Sequence, residues 1–258
     1  MKAVSDRGAA ERPAPSRADV LVCALARELL DGDVVATGVS SPLALLAIGV
    51  AKATHAPGCT WLACVGALDP PMRALHPSTE DLAYLEGRRA EVTIADLFDH
   101  ARRGRVDVVF FGAAEVDAEG ATNMSAGGSL SAPAPKFPGV AGAASLRRWT
   151  HRPVLVMPRH SRRCLVPVVQ VRSTQDDRRT PLVTDLGRFE VGRGGARLQA
   201  LHSGVEAAEI EAGTGFSFAR ASPLGVTPPP DAASLAALAA LDPTRLRDTL
   251  VPDRRSAQ

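Results

Sequence analysis

Ile94–Arg103 (IADLFDHARR), Gly104 and then Val106-Asp-Val-Val-Phe-Phe111 form the stretch that decides the fold. The first part spaces Ile94, Leu97, Phe98 and Ala101 as one helical face. The last part is apolar almost throughout, the pattern of a strand covered on both sides, as in parallel sheets. Parallel neighbours need a crossover, and a preceding helix supplies one. The same alternation repeats outward. Asp33-Val-Val-Ala-Thr37 reads as a short buried strand. Gly38-Val-Ser-Ser-Pro42 turns into an apolar helix from Leu43 to about Thr54, and Thr60-Trp-Leu-Ala-Cys-Val65 is a strand bounded by Pro57-Gly58 and Gly66. Before these, Asp19 is positioned to cap a helix through about Leu30, which Asp31-Gly32 stops.

Beyond Phe111 the pattern loosens. Residues 126–144 are rich in Gly, Ala and Pro, and residues 67–90 read as a long connection with at most short helices. Pro153–Met157 and Val166–Val171 read as strands, and residues 173–180 as a charged loop. Short β-like pieces follow at 181–185, 188–192 and 196–201, then a helix pair at 232–241 and 243–250. The expectation is an α/β fold in a single domain over 18–251, its mostly parallel sheet carrying helices on both faces. Residues 1–17 read as a disordered leader and 252–258 as a flexible tail.

Composition excludes several classes of function. With 258 residues, 45% hydrophobic and 22% charged, the chain has the balance of an ordinary globular protein. A net charge of +2 and 4% aromatic residues offer neither the basic surface nor the stacking rings of a nucleic-acid partner. No apolar run approaches the ~18–20 residues that span a bilayer, and the N-terminus has no signal-peptide core, so a cytoplasmic location with no membrane contact is expected. Cys23, Cys59, Cys64 and Cys164 form no CxxC pair and have no histidine at ligand spacing, which points to reduced thiols and no metal. No Walker A, GxSxG, HExxH or Rossmann GxGxxG pattern is present.

Four stretches carry a resemblance. They are Gly32-Asp-Val-Val-Ala-Thr-Gly38 running into Ser41-Pro42-Leu43; Ala56-Pro57 with the strand ending Cys64-Val65-Gly66; Phe111-Gly112-Ala-Ala-Glu-Val-Asp117 with Gly120 and Asn123; and Lys136-Phe137-Pro138-Gly139-Val-Ala-Gly142-Ala143. Leu182-Val-Thr-Asp-Leu-Gly187 continues them. In order and spacing the chain resembles the β-type subunits of family I CoA transferases of the glutaconate type. That resemblance implies their fold, an α-type partner subunit in an α2β2 heterotetramer, a site between the two chains, and an acyl-CoA thioester as substrate.

The second stretch departs from the family in one residue. Where the transferases carry the glutamate that attacks the thioester, this chain has Cys64, and Asp69 and Glu80 do not occupy the aligned position. A thiolate attacking a thioester yields only another thioester, so CoA exchange through a mixed anhydride is not expected. The cysteine resembles a decarboxylating, myxobacterial branch of the family that acts on 3-methylglutaconyl-CoA in isovaleryl-CoA biosynthesis. The implied function is a cofactor-free lyase giving 3,3-dimethylacrylyl-CoA. The alternatives are CoA transfer or thioester/ring hydrolysis with an acid supplied by the partner, and a non-catalytic scaffold subunit. Leu201–Val205 and Asp242–Asp248 resemble the hydrolase branch.

Cys64 therefore marks the active-site position under two open readings. It is a proton donor or charged thiolate, or it is a small apolar filler that removes the glutamate's charge. Gly66 and the run Gly139, Val140, Ala141 and Gly142 are the substrate-binding candidates. Backbone N–H groups of 139–142 suit the thioester oxygen, where such donors are typically worth about 3–4 kcal/mol. Arg147, Arg148 and the segment Arg159-His160-Ser-Arg162-Arg163 are candidates for CoA phosphates, or else solvated faces. Glu115, Asp117 and Asn123 either orient substrate or hold turn backbone. His55, His76, His100, His151 and His202 have no partner at readable spacing.

Overall fold

The structure, a computed structural model, describes residues 14–251. The leader and tail expected at 1–17 and 252–258 fall outside it except for residues 14–17, where Ser16 already caps the first helix. The helices are α1 (Arg17–Ala26), α2 (Pro42–Ala53), α3 (Ile94–Arg102), α4 (Ala143–Trp149), α5 (Ala207–Gly213), α6 (Ala232–Leu241) and α7 (Leu246–Leu250). The strands are β1 (Val34–Thr37), β2 (Thr60–Ala63), β3 (Ala67–Leu68), β4 (Ala90–Glu91), β5 (Val108–Gly112), β6 (Glu115–Val116), β7 (Thr122–Asn123), β8 (Ala126–Ser129), β9 (Ala132–Lys136), β10 (Arg152–Met157), β11 (Thr180–Thr184), β12 (Gly187–Val191), β13 (Ala196–His202) and β14 (Phe218–Thr227).

Ten strands make one sheet in the order β14-β13-β12-β11-β10-β5-β1-β2-β3-β4. Its centre, β11-β10-β5-β1-β2, is parallel throughout, and antiparallel pairings extend it on both sides. Because successive side chains on a strand point to opposite faces, each central strand feeds two cores. Val35, Trp61, Val108, Phe110, Val154 and Val183 join one core with Leu21, Leu25, Leu45, Leu46 and Leu238 from α1, α2 and α6. Their neighbours Ala36, Leu62, Val109, Phe111, Leu155 and Leu182 join the other, with Leu97, Leu146 and Ile210 from α3, α4 and α5. Each such Leu or Val, fully buried, stabilises the fold by roughly 1.5–3 kcal/mol relative to exposure.

Two sequence expectations, the Val166–Val171 strand and the Asp19 cap, need correction, and two elements were not anticipated. Val166–Val171 is irregular, not a strand. Pro167 lacks the N–H a ladder requires, and the free amides are taken by side chains: Val169 N donates to Asp117 Oδ2 at 3.5 Å and Gln170 N to Glu115 Oε2 at 2.9 Å. The Gly/Ala/Pro-rich stretch contains the hairpin β8–β9, and the chain after α5 forms the ten-residue edge strand β14 despite Pro223. Asp19 is not the cap of α1 but its third residue. Ser16 is the cap, its hydroxyl accepting from Asp19 N at 3.2 Å while Asp19 Oδ2 accepts from Ser16 N at 2.8 Å.

The two ends of the described chain are tied together in the core. Arg247 of α7, almost fully buried, donates to Asp19 Oδ1 of α1 at 2.6 Å and to Asp242 Oδ2 at 2.9 Å. Both carboxylates are buried as well. Arg245 lies 3.8 Å from Asp19 at the rim of this group.

Candidate active site

The carboxyl ends of the parallel strands lie together on one edge of the sheet. Register places Thr37 of β1 level with Ala63 of β2 and Phe110 of β5, so the chain leaves these strands on one edge. The helix after β1, α2, packs on one face of the sheet, whereas α4, which follows β5, packs on the other. Divergent connections from neighbouring strands leave a gap at their carboxyl ends, the usual ligand position in open α/β sheets.

Cys64 is the first residue past β2 and opens the turn into β3. Gly66 closes that turn, its N–H donating to Ala63 O at 3.0 Å with φ +111°, a conformation side chains rarely adopt. Its carbonyl accepts Val92 N at 3.2 Å, fixing the turn to the approach of α3. From the long connection after β3, Thr79 is fully buried and donates to Gly38 O at 2.9 Å, pinning residues 78–82 over the ends of β1 and β2. That anchor carries the exposed Glu80 to the sulfur, and Cys64 Sγ donates to Glu80 Oε1 at 3.4 Å. Burial, then the Glu80 hydrogen bond and charge, push the Cys64 thiol up to about 12. This upward shift disfavours the thiolate form of Cys64 at neutral pH.

Glu80 lies sixteen residues from Cys64, and nothing in the local pattern of either residue signals the contact. It also limits the filler argument, since replacing glutamate by Cys64 leaves a carboxylate within reach of the sulfur.

The run from Gly139 to Gly142 forms the entry to α4. Gly139 has φ +99° and its N–H is already given to Met124 O at 2.9 Å, which removes it from the candidate oxyanion donors. Ala141 holds φ +40°, and Gly142 is the residue from which α4 starts. A Cβ on Gly142 would stand 2.0 Å from Phe98 Cζ of α3, so this glycine is required by close packing. Cys64, Phe98 and Ala143 all border the same core, which places both candidate loops on the α3 side of the sheet.

The basic and acidic candidates separate clearly. Arg147 is buried, donating to Thr174 Oγ1 at 3.0 Å with Nε 3.4 Å from Asp176, and so does not reach a CoA phosphate. His160 is likewise internal, its ring nitrogens 3.0 Å from Thr184 Oγ1 and 2.9 Å from Thr214 Oγ1. Arg148 and Arg163 remain exposed, and Arg162 caps the Ala212 carbonyl at 2.9 Å. Glu115 and Asn123 bond each other at 2.9 Å, and Asp117 accepts Ala121 N at 3.0 Å, so this trio holds turn backbone. His202 is buried with Nε2 2.8 Å from Thr184 O, and burial lowers its pKa to about 4. His151 and His55 bond the carbonyls of Gly104 and Ala26, and His76 lies 3.0 Å from Asp81.

Two cavities of about 390 Å³ lie away from Cys64. One is lined by Leu45, Ile48, Trp61 and Met72 with the Lys52–Asp69 ion pair, the other by Cys23, Arg27, His55 and Asp231. Neither is lined by Cys64 or Glu80. Among the described residues no cluster of three or more His, Cys, Asp or Glu is placed to hold a metal, and no helix is long and apolar enough to cross a membrane.

A model of the Coenzyme A transferase family matches residues 21–203. The chain belongs to this family. Among solved structures of the coenzyme A transferase fold, it is similar to the decarboxylase AibA/AibB, with 62% identity, a TM-score of 0.90, and coverage of 92% of this chain and 99% of that one. That decarboxylase has also been solved with a single cysteine replaced by asparagine, alanine, valine or serine. Among coenzyme A transferases, one of the subunits of the 3-oxoadipate CoA-transferase of Pseudomonas knackmussii is 26% identical over 87% of this chain and 92% of its own length. Glutaconate CoA-transferase of Acidaminococcus fermentans, at 19% identity and TM-score 0.80 over 90% of this chain and 96% of that one, shares the fold. The mostly parallel sheet with helices on both faces is thus the coenzyme A transferase subunit fold, as the sequence led us to expect.

Proposed function

We propose that this chain is the β-type subunit of a cytoplasmic, cofactor-free acyl-CoA decarboxylase converting 3-methylglutaconyl-CoA to 3,3-dimethylacrylyl-CoA. The reading is carried by Cys64 at the end of β2, the position at which the resemblance places the transferases' nucleophilic glutamate. The 62% identity to the decarboxylase AibA/AibB supports it. The substrate carboxylate is vinylogous to the thioester, so the electrons left by departing CO₂ delocalise into a dienolate that ends on the thioester oxygen. Backbone N–H groups at Val140, Ala141 and Gly142 are the proposed donors to that oxygen, and Gly66 the proposed floor beneath the acyl chain.

The two-part make-up of the decarboxylase and the divided 3-oxoadipate transferase support an α-type partner, and an α2β2 assembly is part of the proposal. The surface fits such a partner. Val39 follows the Gly38 carbonyl that Thr79 binds, Leu82 lies two residues past Glu80, and Ile94 lies two past the Val92 amide bound to Gly66. All three are exposed apolar side chains close in sequence to residues that hold the Cys64 turn and Glu80. Val39→Asp combined with Leu82→Asp is expected to weaken association with the α-type chain at least tenfold, about 1.4 kcal/mol, by co-purification and sedimentation. Unchanged association would place the interface elsewhere.

The deciding experiment incubates the two-chain complex with 3-methylglutaconyl-CoA and follows product mass. Loss of CO₂ with the thioester intact is expected. CoA on added acetate, or free CoA, would assign transfer or hydrolysis instead, and no gain over the α-type chain alone would leave a scaffold. Cys64→Ala is expected to keep kcat within about tenfold, because a small apolar filler is replaced by another. A loss beyond about a thousandfold, ~4 kcal/mol, would make the thiol a participant.

A further inference from the structure

Decarboxylation leaves a dienolate whose terminal carbon must receive a proton, so the site needs an acid that touches the substrate and is reloaded from solvent. Cys64 is poorly suited. It is half-buried and its thiol holds its proton well above neutral pH, whereas an efficient general acid is matched to the working pH. Glu115 and Asp117 are committed to the amides of Gln170, Val169, Ala121 and Glu119, and His160 and His202 are inside the core. His76 and Asp81, on the same connection as Glu80, are engaged with each other. Glu80 meets both requirements. Its carboxylate is solvent-exposed, and the buried Thr79–Gly38 bond next to it holds that carboxylate against the Cys64 sulfur.

We infer that Glu80 delivers the proton to the dienolate, from its place beside Cys64 at the carboxyl ends of β1 and β2. The inference rests on the decarboxylase reading above. Glu80 draws its proton from the solvent to which it is open. The C–CO₂ bond breaks and its electrons enter the dienolate. As the thioester carbonyl re-forms, the terminal carbon gains a C–H bond and the Glu80 O–H bond breaks. Solvent then returns a proton to Glu80, one taken up per CO₂ released.

The test compares the wild-type two-chain complex with Glu80→Gln and Glu80→Asp. Glu80→Gln should lower kcat at least a hundredfold with KM little changed, and Glu80→Asp should recover part of it. The same group should run in reverse on product. In D₂O, wild type should exchange methyl hydrogens of 3,3-dimethylacrylyl-CoA, read by mass, and Glu80→Gln should not. Alkylation of Cys64 by iodoacetamide, followed against pH, should shift to lower pH in Glu80→Gln, which checks that the two side chains are neighbours in solution. A Glu80→Gln complex that decarboxylates and exchanges like wild type overturns the inference while leaving the decarboxylase reading intact. A wild type that exchanges methyl hydrogens through Glu80 but releases no CO₂ supports the inference and sinks that reading instead.

Discussion

Replacing Cys64 with glutamate is expected to cut CO₂ release by about a thousandfold or more, ~4 kcal/mol of lost transition-state stabilisation. In the proposed alignment the substitution introduces the side chain of the family's transferases, so on size alone the site should accept it. Charge is the obstacle. The present sulfur lies 3.4 Å from a Glu80 oxygen, and a second carboxylate there would face both Glu80 and the incoming substrate carboxylate. Two like charges about 4 Å apart repel by about 4 kcal/mol at the effective dielectric of ~20 that suits protein sites. Single-turnover release of labelled CO₂ by the two-chain complex measures the effect. Retention of more than a tenth of the wild-type rate would show that the pocket does not depend on excluding charge at residue 64. Mass analysis of the same variant after acyl-CoA treatment would show whether the new carboxylate forms a CoA adduct.

Arg247→Met is expected to destabilise the fold by about 3–5 kcal/mol, the cost of leaving a buried charge without its partner. Asp19 Oδ1 loses its 2.6 Å bond inside the α1–α7 contact, where both residues are almost inaccessible to water. Asp242 suffers less, because it also accepts the amides of Leu246 and Arg247 at 2.8 and 3.0 Å. For a chain of this size the melting temperature should fall by roughly 6–15 °C, measured by thermal denaturation. Adding Asp19→Leu should recover much of the loss, since removing both partners of a buried pair is often close to neutral. A single variant as stable as wild type would mean that water reaches the pair.

How far sequence alone leads depends on the kind of contact. Val106–Phe111, Asp33–Thr37 and Thr60–Val65 are legible because a strand covered on both faces must be apolar at consecutive positions, and they contain or overlap β5, β1 and β2, the last ending two residues early at Ala63. β14 was not legible. Its run FARASPLGVT has no fully buried residue at the sheet edge, where packing imposes no alternation, and a proline interrupts it. Val166–Val171 misleads for the opposite reason. Four valines give a strand pattern, yet the carboxylates of Glu115 and Asp117, some fifty residues earlier, take the amides a ladder would use. The site divides in the same way. Cys64 stands out because it replaces a motif residue, whereas Glu80 depends on a fold-level contact. Arg147 and His160 look like surface cations in a basic run, and only the structure shows both inside.

Cys64 lies one residue beyond the last rung of β2, after Ala63 has paired with Thr37, in a turn closed by the Gly66 amide. A side chain in that position owes nothing to strand pairing and only borders the core on the α3 side of the sheet. Natural variation can therefore exchange acid for thiol at this corner, and one reaction type for another, while the scaffold beneath keeps its geometry. A library randomised at residue 64 should accordingly yield folded proteins almost without exception, with only their chemistry diverging.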